Sequence, residues 1–252
     1  MTSAEQELLT AIELHSVEGI RAALDGGLDP RSQVAGRSLT TWLTEMYTRS
    51  DMFPDCLRLL LERGAELADP MLAPVLLDDE PAIRRALDAS PSLIAHRTTM
   101  VSAFTPLVGA SLLHVAAEYG HATAVRVLLE RGAEVDCRAA LDANGFNGHT
   151  ALFHTVNSND NRSAPILHQL LAAGASPATS VRGITWGKGF DWETTVYDVT
   201  PVSYAQLGLL PQMHRQEEHI YANIALLLQA SGRPAPTLSN VPNRYLKPKD
   251  TA

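Results

Sequence analysis

The chain has 252 residues, 45% of them hydrophobic, which is enough to bury a sizeable core and unlike a disordered polar tract. Its 20 Lys and Arg are set against 28 Asp and Glu for a formal net charge of -8, and no basic run interleaved with aromatics occurs, which argues against nucleic acid and anionic membranes as partners. The two cysteines, Cys56 and Cys137, lie far apart outside any Cys-x-x-Cys pair and suit reduced thiols in a cytoplasmic protein.

The first segment, MTSAEQELLTAIEL, has acidic residues where a signal peptide has a basic region and an uninterrupted apolar core, and no stretch has the apolar length of a membrane helix. Gln6 to Leu14 and Val17 to Leu24 instead predict two short helices before Gly26-Gly27, with Ser3 or Thr2 as N-cap. Next, Cys56, Leu57, Leu59, Leu60 and Leu61 make an apolar face that stops at Gly64-Ala65. Pro70 to Ser90 holds a weaker helix pair, with Ile83, Ala86 and Leu87 on its second member. Gly109 to Asp136 reads GASLLHVAAEYGHATAVRVLLERGAEVD, and its LLERGAEV echoes the earlier LLLERGAEL. A further start, Gly148-His149-Thr150-Ala151-Leu152, leads to Ile166, Leu167, Leu170 and Leu171 before Gly174-Ala175. The last start, Thr200-Pro201-Val202-Ser203-Tyr204-Ala205, leads to Ile224, Leu226, Leu227 and Leu228 before Gly232. From Arg233 the chain is Pro-rich without helical period. Two readings stand for it: a cap pinned by Leu238, Val241, Tyr245 and Leu246, or a disordered tail.

Gly109 to Asp136 resembles the ankyrin repeat. Ser111 takes the Thr position of that family's T-P-L-H-x-A-A, Leu113-His114 its L-H, and Ala116-Ala117 its A-A; Gly120-His121 opens the second helix and Gly132-Ala133 ends it. Small Ala116 and Ala117 allow close helix approach, and the glycines suit a tight turn and a left-handed helix end. One such unit cannot bury its own apolar faces, so units must stack. The resemblance implies an all-α fold, an ankyrin-repeat solenoid of stacked helix pairs. It has about six degenerate units, approximately 3–30, 31–68, 69–108, 109–147, 148–198 and 199–232, at a period of roughly 33 residues plus insertions. Residues 233–252 form the tail or cap.

Three junctions between units are too long for a plain array: RTTMVSAFTPLVGA, CRAALDANGFNGH, and the segment containing ITWGKGFDWETTVYDVTP. In register they project from one side, over the concave groove, as fingers that bring Phe104, Phe146, Trp186, Phe190, Trp192 and Tyr197 together. Within the third finger, TTVYDV alternates and predicts one strand of a β-hairpin. A second set of insertions, TRSDMFPD, NSNDNRS and QLGLLPQMHRQEEHIY, lengthens turns between helices. These are expected away from the fingers or, for the last, across the end of the groove, with the Pro211 segment extending or breaking the last inner helix.

Candidate chemistry is sparse. His114 and His121 sit where ankyrin units carry structural histidines. His149 and His154 are five residues apart, not at the i, i+4 spacing of H-E-x-x-H, and no Cys or carboxylate completes a metal signature. Gly187-Lys188-Gly189 lacks the flanking residues of a phosphate loop, so no metal and no cofactor is implied. Asp191, Glu193 and Asp198 above His149 or His154 suggest a carboxylate-imidazole pair for proton transfer; alternatively the first two solvate the hairpin and Asp198 caps the next helix. The aromatic residues either pack the fingers together or touch a ligand.

Two functions follow. The first is a non-catalytic binding scaffold that holds a protein or peptide, with a basic patch to match the -8 charge, through the groove and fingers. Its contact residues are Tyr119, His149, His154, Trp186, Phe190, Trp192, Tyr197 and Tyr204, among groove positions that also include Ala110, Glu118, Asn157 and Ser158. The second is a small-molecule-binding protein or enzyme whose pocket is roofed by residues 184–199. Trp186, Trp192 and Tyr204 would wall it, with His149, His154 and Glu193 as polar groups.

Overall fold

The computed structural model of the chain describes residues 1–187, 191–210, 213 and 215–234. It is mostly helical, with small two-stranded antiparallel sheets. In chain order the helices are α1 (Ser3–Glu13), α2 (Val17–Asp25), α3 (Leu39–Glu45), α4 (Phe53–Glu62), α5 (Ala73–Leu76), α6 (Glu80–Ala89), α7 (Leu112–Tyr119), α8 (Ala122–Glu130), α9 (Ala164–Ala172), α10 (Pro201–Gln206) and α11 (Glu217–Ala230). The strands are β1 (Gln33–Val34), β2 (Arg37–Ser38), β3 (Arg97–Thr98), β4 (Ala110–Ser111), β5 (Val181–Trp186) and β6 (Thr194–Val199). None of these helices is long and apolar enough to cross a membrane.

Helix starts follow from capping side chains. Thr2 closes a capping box with Glu5 on α1, Ser16 accepts from the Gly19 amide on α2, and Asp79 accepts from Ala82 on α6. Helix ends follow from the recurring glycine. At Gly64, Gly132, Gly174 and Gly232 the backbone takes positive φ, and the next amide bonds back to the carbonyl five residues earlier: Ala65 to Leu60, Ala133 to Leu128, Ala175 to Leu170, and Arg233 to Leu228. This closure satisfies carbonyls that a helix end leaves open, and a Cβ at the glycine would strain it.

Helices α1 and α2, α3 and α4, α5 and α6, α7 and α8, and α10 and α11 pack pairwise, and α9 packs on a 3-10 turn at Ala151–Thr155. Neighbouring pairs then meet like to like, α1 on α3 and α2 on α4, α5 on α7 and α6 on α8, and α8 on α9. One continuous apolar core results, containing Leu60, Leu76, Val115, Ala116, Ala117, Leu128, Phe153 and Leu167.

Two local expectations are corrected. The segment after Thr150 forms a 3-10 turn, not an α-helix: Phe153 N bonds Thr150 O at 3.1 Å and the Thr155 hydroxyl bonds Leu152 O at 2.8 Å, so a β-branched residue competes with helical pairing. Asp198 does not cap α10. It lies within β6 with φ 51, between the pairs Gly183↔Tyr197 and Val181↔Val199, and Thr200 is the cap, exchanging hydrogen bonds with Ser203. Pro211 and the candidate tail residues Leu238, Val241, Tyr245 and Leu246 lie outside the described residues.

Candidate functional site: two cavities beside three joined fingers

The third finger is a β-hairpin, β5 pairing antiparallel with β6 from Val181↔Val199 to Trp186↔Thr194. It is bonded to both other fingers. Gly187 N donates to Ala103 O at 2.9 Å in the first, and Gly183 O accepts from Asn147 N at 2.7 Å in the second. The second finger is a tight loop in which Asp142 Oδ1 accepts from the Asn144 and Phe146 amides, each at 2.9 Å.

Aromatic rings fill the joints. Phe146 lies edge-on to Tyr197 at 5.6 Å, Trp186 meets Trp192 at 5.6 Å, and Phe104 meets Trp192 at 6.2 Å. Gly183 makes room for Phe146, whose ring would lie 2.8 Å from an added Cβ. The rings expected to gather fall into two groups, Phe104 with Trp192 and Trp186, and Phe146 with Tyr197, whereas Phe190 lies outside the described residues. The rings pack on one another, yet Trp192 and Tyr197 keep 39% and 65% of their surface exposed, so an outward face remains.

Two cavities flank this cluster. The first, about 320 Å³, is lined by Phe104, Thr105 and Trp186 from the fingers, by Glu118, His154 and Tyr204 from the helical layer, and by Arg49, Asn157, Arg162, Met213 and Arg215 from the turns between helices. The first two of those turns were expected away from the fingers and the last across the end of the groove; residues of all three line this cavity together with Trp186. The second cavity, about 430 Å³, lies among the fingers and is lined by Val101, Pro106 and Val108 from the first, Leu141, Asp142 and Phe146 from the second, and Thr185, Glu193 and Thr195 from the third.

At the wall of the first cavity sits Glu118, with only 6% of its side chain exposed. Its carboxylate accepts from Arg49 at 3.0 Å, Ser102 at 3.0 Å and His154 Nδ1 at 2.8 Å. Burial opposes its charge, but the His154 hydrogen bond, the Arg49 charge and Ser102 outweigh burial and hold the pKa below the ordinary carboxylate value. A carboxylate-imidazole pair thus exists, but its acid is Glu118 and not a finger carboxylate; Glu193 lines the other cavity.

Several expected contact residues are interior. Tyr119 is 1% exposed, and its hydroxyl donates to Thr44 O while its ring packs on Phe53 at 4.6 Å. Burial raises its pKa well above the ordinary tyrosine value, and its assignment is corrected from groove surface to core. His149 is fully buried against His114, His154 and Phe153, and Ala110 is fully buried as well. His154 and Tyr204 are also almost covered, but both line the first cavity, where Tyr204 Oη and Thr105 Oγ1 lie 2.9 Å apart. Trp192 backs the Trp186 ring.

His114 and His121 are buried and hydrogen-bonded, His114 to Ser111 and to the His149 carbonyl. Burial lowers their pKa values to about 3 and about 4. Cys56 and Cys137 are unpaired, and burial pushes the Cys56 thiol up to about 12, which makes it a poor nucleophile. Among the described residues no group of three or more His, Cys, Asp or Glu is placed to hold a metal ion.

Residues 108–140 match the family model of the ankyrin repeat. No curated protein matches the chain. The matched unit contains α7 and α8 and the start of the second finger.

Proposed function

We propose that this ankyrin-repeat chain is a non-catalytic binding scaffold: six units stacked as a solenoid, with bounds near 3–30, 31–68, 69–108, 109–147, 148–198 and 199–232, their fingers on the concave side. Ankyrin repeats generally mediate protein–protein contact, and the scaffold holds an extended segment of a protein partner on its finger face. The observation that carries this reading is the second cavity, to which all three fingers contribute.

Its apolar rim is open to solvent. Val101, Val108 and Leu141 are 45%, 50% and 66% exposed, which suits anchoring side chains of a partner. The charged residues lining it, Asp142 and Glu193, are both acidic, so they favour a segment that carries Lys or Arg beside its apolar anchors.

The test is a display selection of peptides on the full chain, repeated with Leu141→Asp and Val108→Asp. Selected peptides should pair apolar with basic residues, bind wild type saturably, weaken as salt rises, and lose about tenfold or more in affinity with either variant. Peptides that bind both variants as tightly as wild type would remove the finger face from the proposal.

A second reading, a small-molecule-binding protein or enzyme with a pocket roofed by residues 184–199, is favoured by the first cavity, which lies against Trp186.

A further inference from the structure

The first cavity is positively charged in a chain whose formal net charge is -8. Three guanidinium groups line it, from Arg49, Arg162 and Arg215, against the single carboxylate of Glu118. Glu118 is taken up by Arg49 and His154. Arg162 has a carboxylate partner at 2.7 Å, but that partner, Asp51, has 98% of its side chain in solvent, where an ion pair is worth little. Arg215 is held by neutral oxygens, the Asn157 carbonyl at 2.7 Å, the Met213 carbonyl at 2.8 Å and Asn159 Oδ1 at 3.3 Å. The lining itself therefore carries three guanidiniums against one carboxylate, with Asp51 and Asp160 acting on Arg162 and Arg215 from outside it.

Hydrogen-bonding capacity points the same way. Arg49 Nε, Arg162 Nη1 and Trp186 Nε1 are buried and have no hydrogen-bond partner among the described residues. All three belong to residues that line this cavity, and all three can only donate. Leaving such donors unpaired in the interior is unfavourable, most of all for the charged ones. Burial lowers the pKa of Arg162 and of Arg215, although a guanidinium stays charged at physiological pH. A ligand that carries acceptor atoms and negative charge complements such a lining better than a neutral or cationic one.

We propose that this cavity binds a small organic anion, its carboxylate or phosphate group directed to Arg162 and Arg215 and its apolar body against Phe104, Trp186 and Tyr204. The volume of about 320 Å³ lies within the range of small-molecule pockets, and guanidinium groups match the flat, forked geometry of carboxylate and phosphate oxygens. The site does not depend on the finger-face reading, since the two cavities share no lining residue. Each can fail without the other.

The experiment titrates the full chain with benzoate, phenyl phosphate, inorganic phosphate and the neutral benzyl alcohol, followed by tryptophan fluorescence and calorimetry up to about 10 mM. Saturable binding of benzoate or phenyl phosphate, at least tenfold tighter than benzyl alcohol, is the expected result. Tighter binding of benzoate assigns the group as carboxylate, and tighter binding of phenyl phosphate or inorganic phosphate assigns it as phosphate. Arg162→Gln and Arg215→Gln, each checked for fold by circular dichroism, should each weaken the anion at least tenfold. The proposal is overturned if no anion binds saturably, if benzyl alcohol binds as well as its anionic counterparts, or if both variants keep wild-type affinity. Should a variant unfold, the comparison of anion with alcohol in the wild-type chain decides alone.

Discussion

Acidification from about pH 7 to about pH 5.5 should destabilise the chain through its buried histidines, before its carboxylates matter. His114, His121 and His149 are 0%, 5% and 0% exposed. Burial places their folded-state pKa values at about 3, at about 4, and well below the ordinary value. All three are neutral in the native state across this interval, while in the unfolded chain they protonate near pH 6.5 (roughly the free-histidine value). The unfolded state then binds more protons, so stability falls with pH, and the loss continues until the folded pKa values are reached. His114 and His121 each contribute about 1.3 kcal/mol over the interval, about 2.5 kcal/mol together, and His149 acts in the same sense, against a typical domain's 5–15 kcal/mol. His15, lowered to about 4 mainly by burial, acts in the same sense. Glu118 does not contribute here, because its folded pKa lies below the ordinary carboxylate value and its stabilisation is lost only at lower pH. Urea unfolding followed by circular dichroism at closely spaced pH values gives the slope directly. Replacing His121 with Asn should remove about 0.8 kcal/mol per pH unit from the mean slope over this interval, whatever it does to stability at neutral pH. A wild-type slope of less than one proton between about pH 6 and about pH 5.5 would refute burial of these histidines in neutral form.

Two further outcomes probe the site. Glu118→Gln leaves Arg49 and His154, with side chains 9% and 0% exposed, without their carboxylate; we expect a loss of about 3–5 kcal/mol in urea unfolding at neutral pH, and a loss below about 1 kcal/mol would mean that the network is wet. Gly187→Ala puts a Cβ at φ +65 and 2.1 Å from the Trp192 ring, so Trp192 must leave its contacts with Trp186 and Phe104. Greater quencher access to tryptophan should follow, with a stability cost of only about 1–2 kcal/mol because the helical core is untouched; unchanged quenching would show that the rings do not pack as described.

Much of the helical frame was legible because its signals are local. The Gly-Ala pairs marked helix ends, since only the left-handed glycine lets the next amide reach the carbonyl five residues back. The run TTVYDV is strand β6 throughout. Register along the resembling repeat predicts Glu118, Asn157 and Ser158 on a groove; what the structure gives is that all three line the first cavity. The same register misplaced Tyr119, one residue further on. Adjacent helical positions diverge by about 100°, and the turn that aims Glu118 at Arg49 aims Tyr119 under Thr44 and Phe53.

The arginines were not legible for the opposite reason. Arg49, Arg162 and Arg215 lie outside the α-helices and strands, in turns without period, and the sequence gives no separation rule that brings them together. Only the excess length of those turns signalled a role, and for the turns holding Arg49 and Arg162 it suggested a place away from the fingers. Net charge was misleading as well. A total of -8 is a sum over the whole surface, whereas exposed charges are screened beyond about 8 Å in physiological salt, so a recess lined by three guanidiniums keeps its own sign.

The arrangement of β5 explains how one finger serves two cavities of different character. Side chains alternate across a strand: Thr185 lines the acidic, apolar cavity among the fingers, and Trp186, the next residue, lines the cationic one. The first finger divides in the same way, with Val101 and Pro106 on one side and Phe104 and Thr105 on the other. The joined fingers therefore act as a partition, held by the Gly187 to Ala103 hydrogen bond and the tryptophan contacts. Leu141→Asp changes only the lining of the outer cavity and Arg215→Gln only that of the inner one, whereas Gly187→Ala acts on the partition. Loss of binding at both cavities in Gly187→Ala, with loss at one alone in each of the other variants, is the pattern this geometry requires.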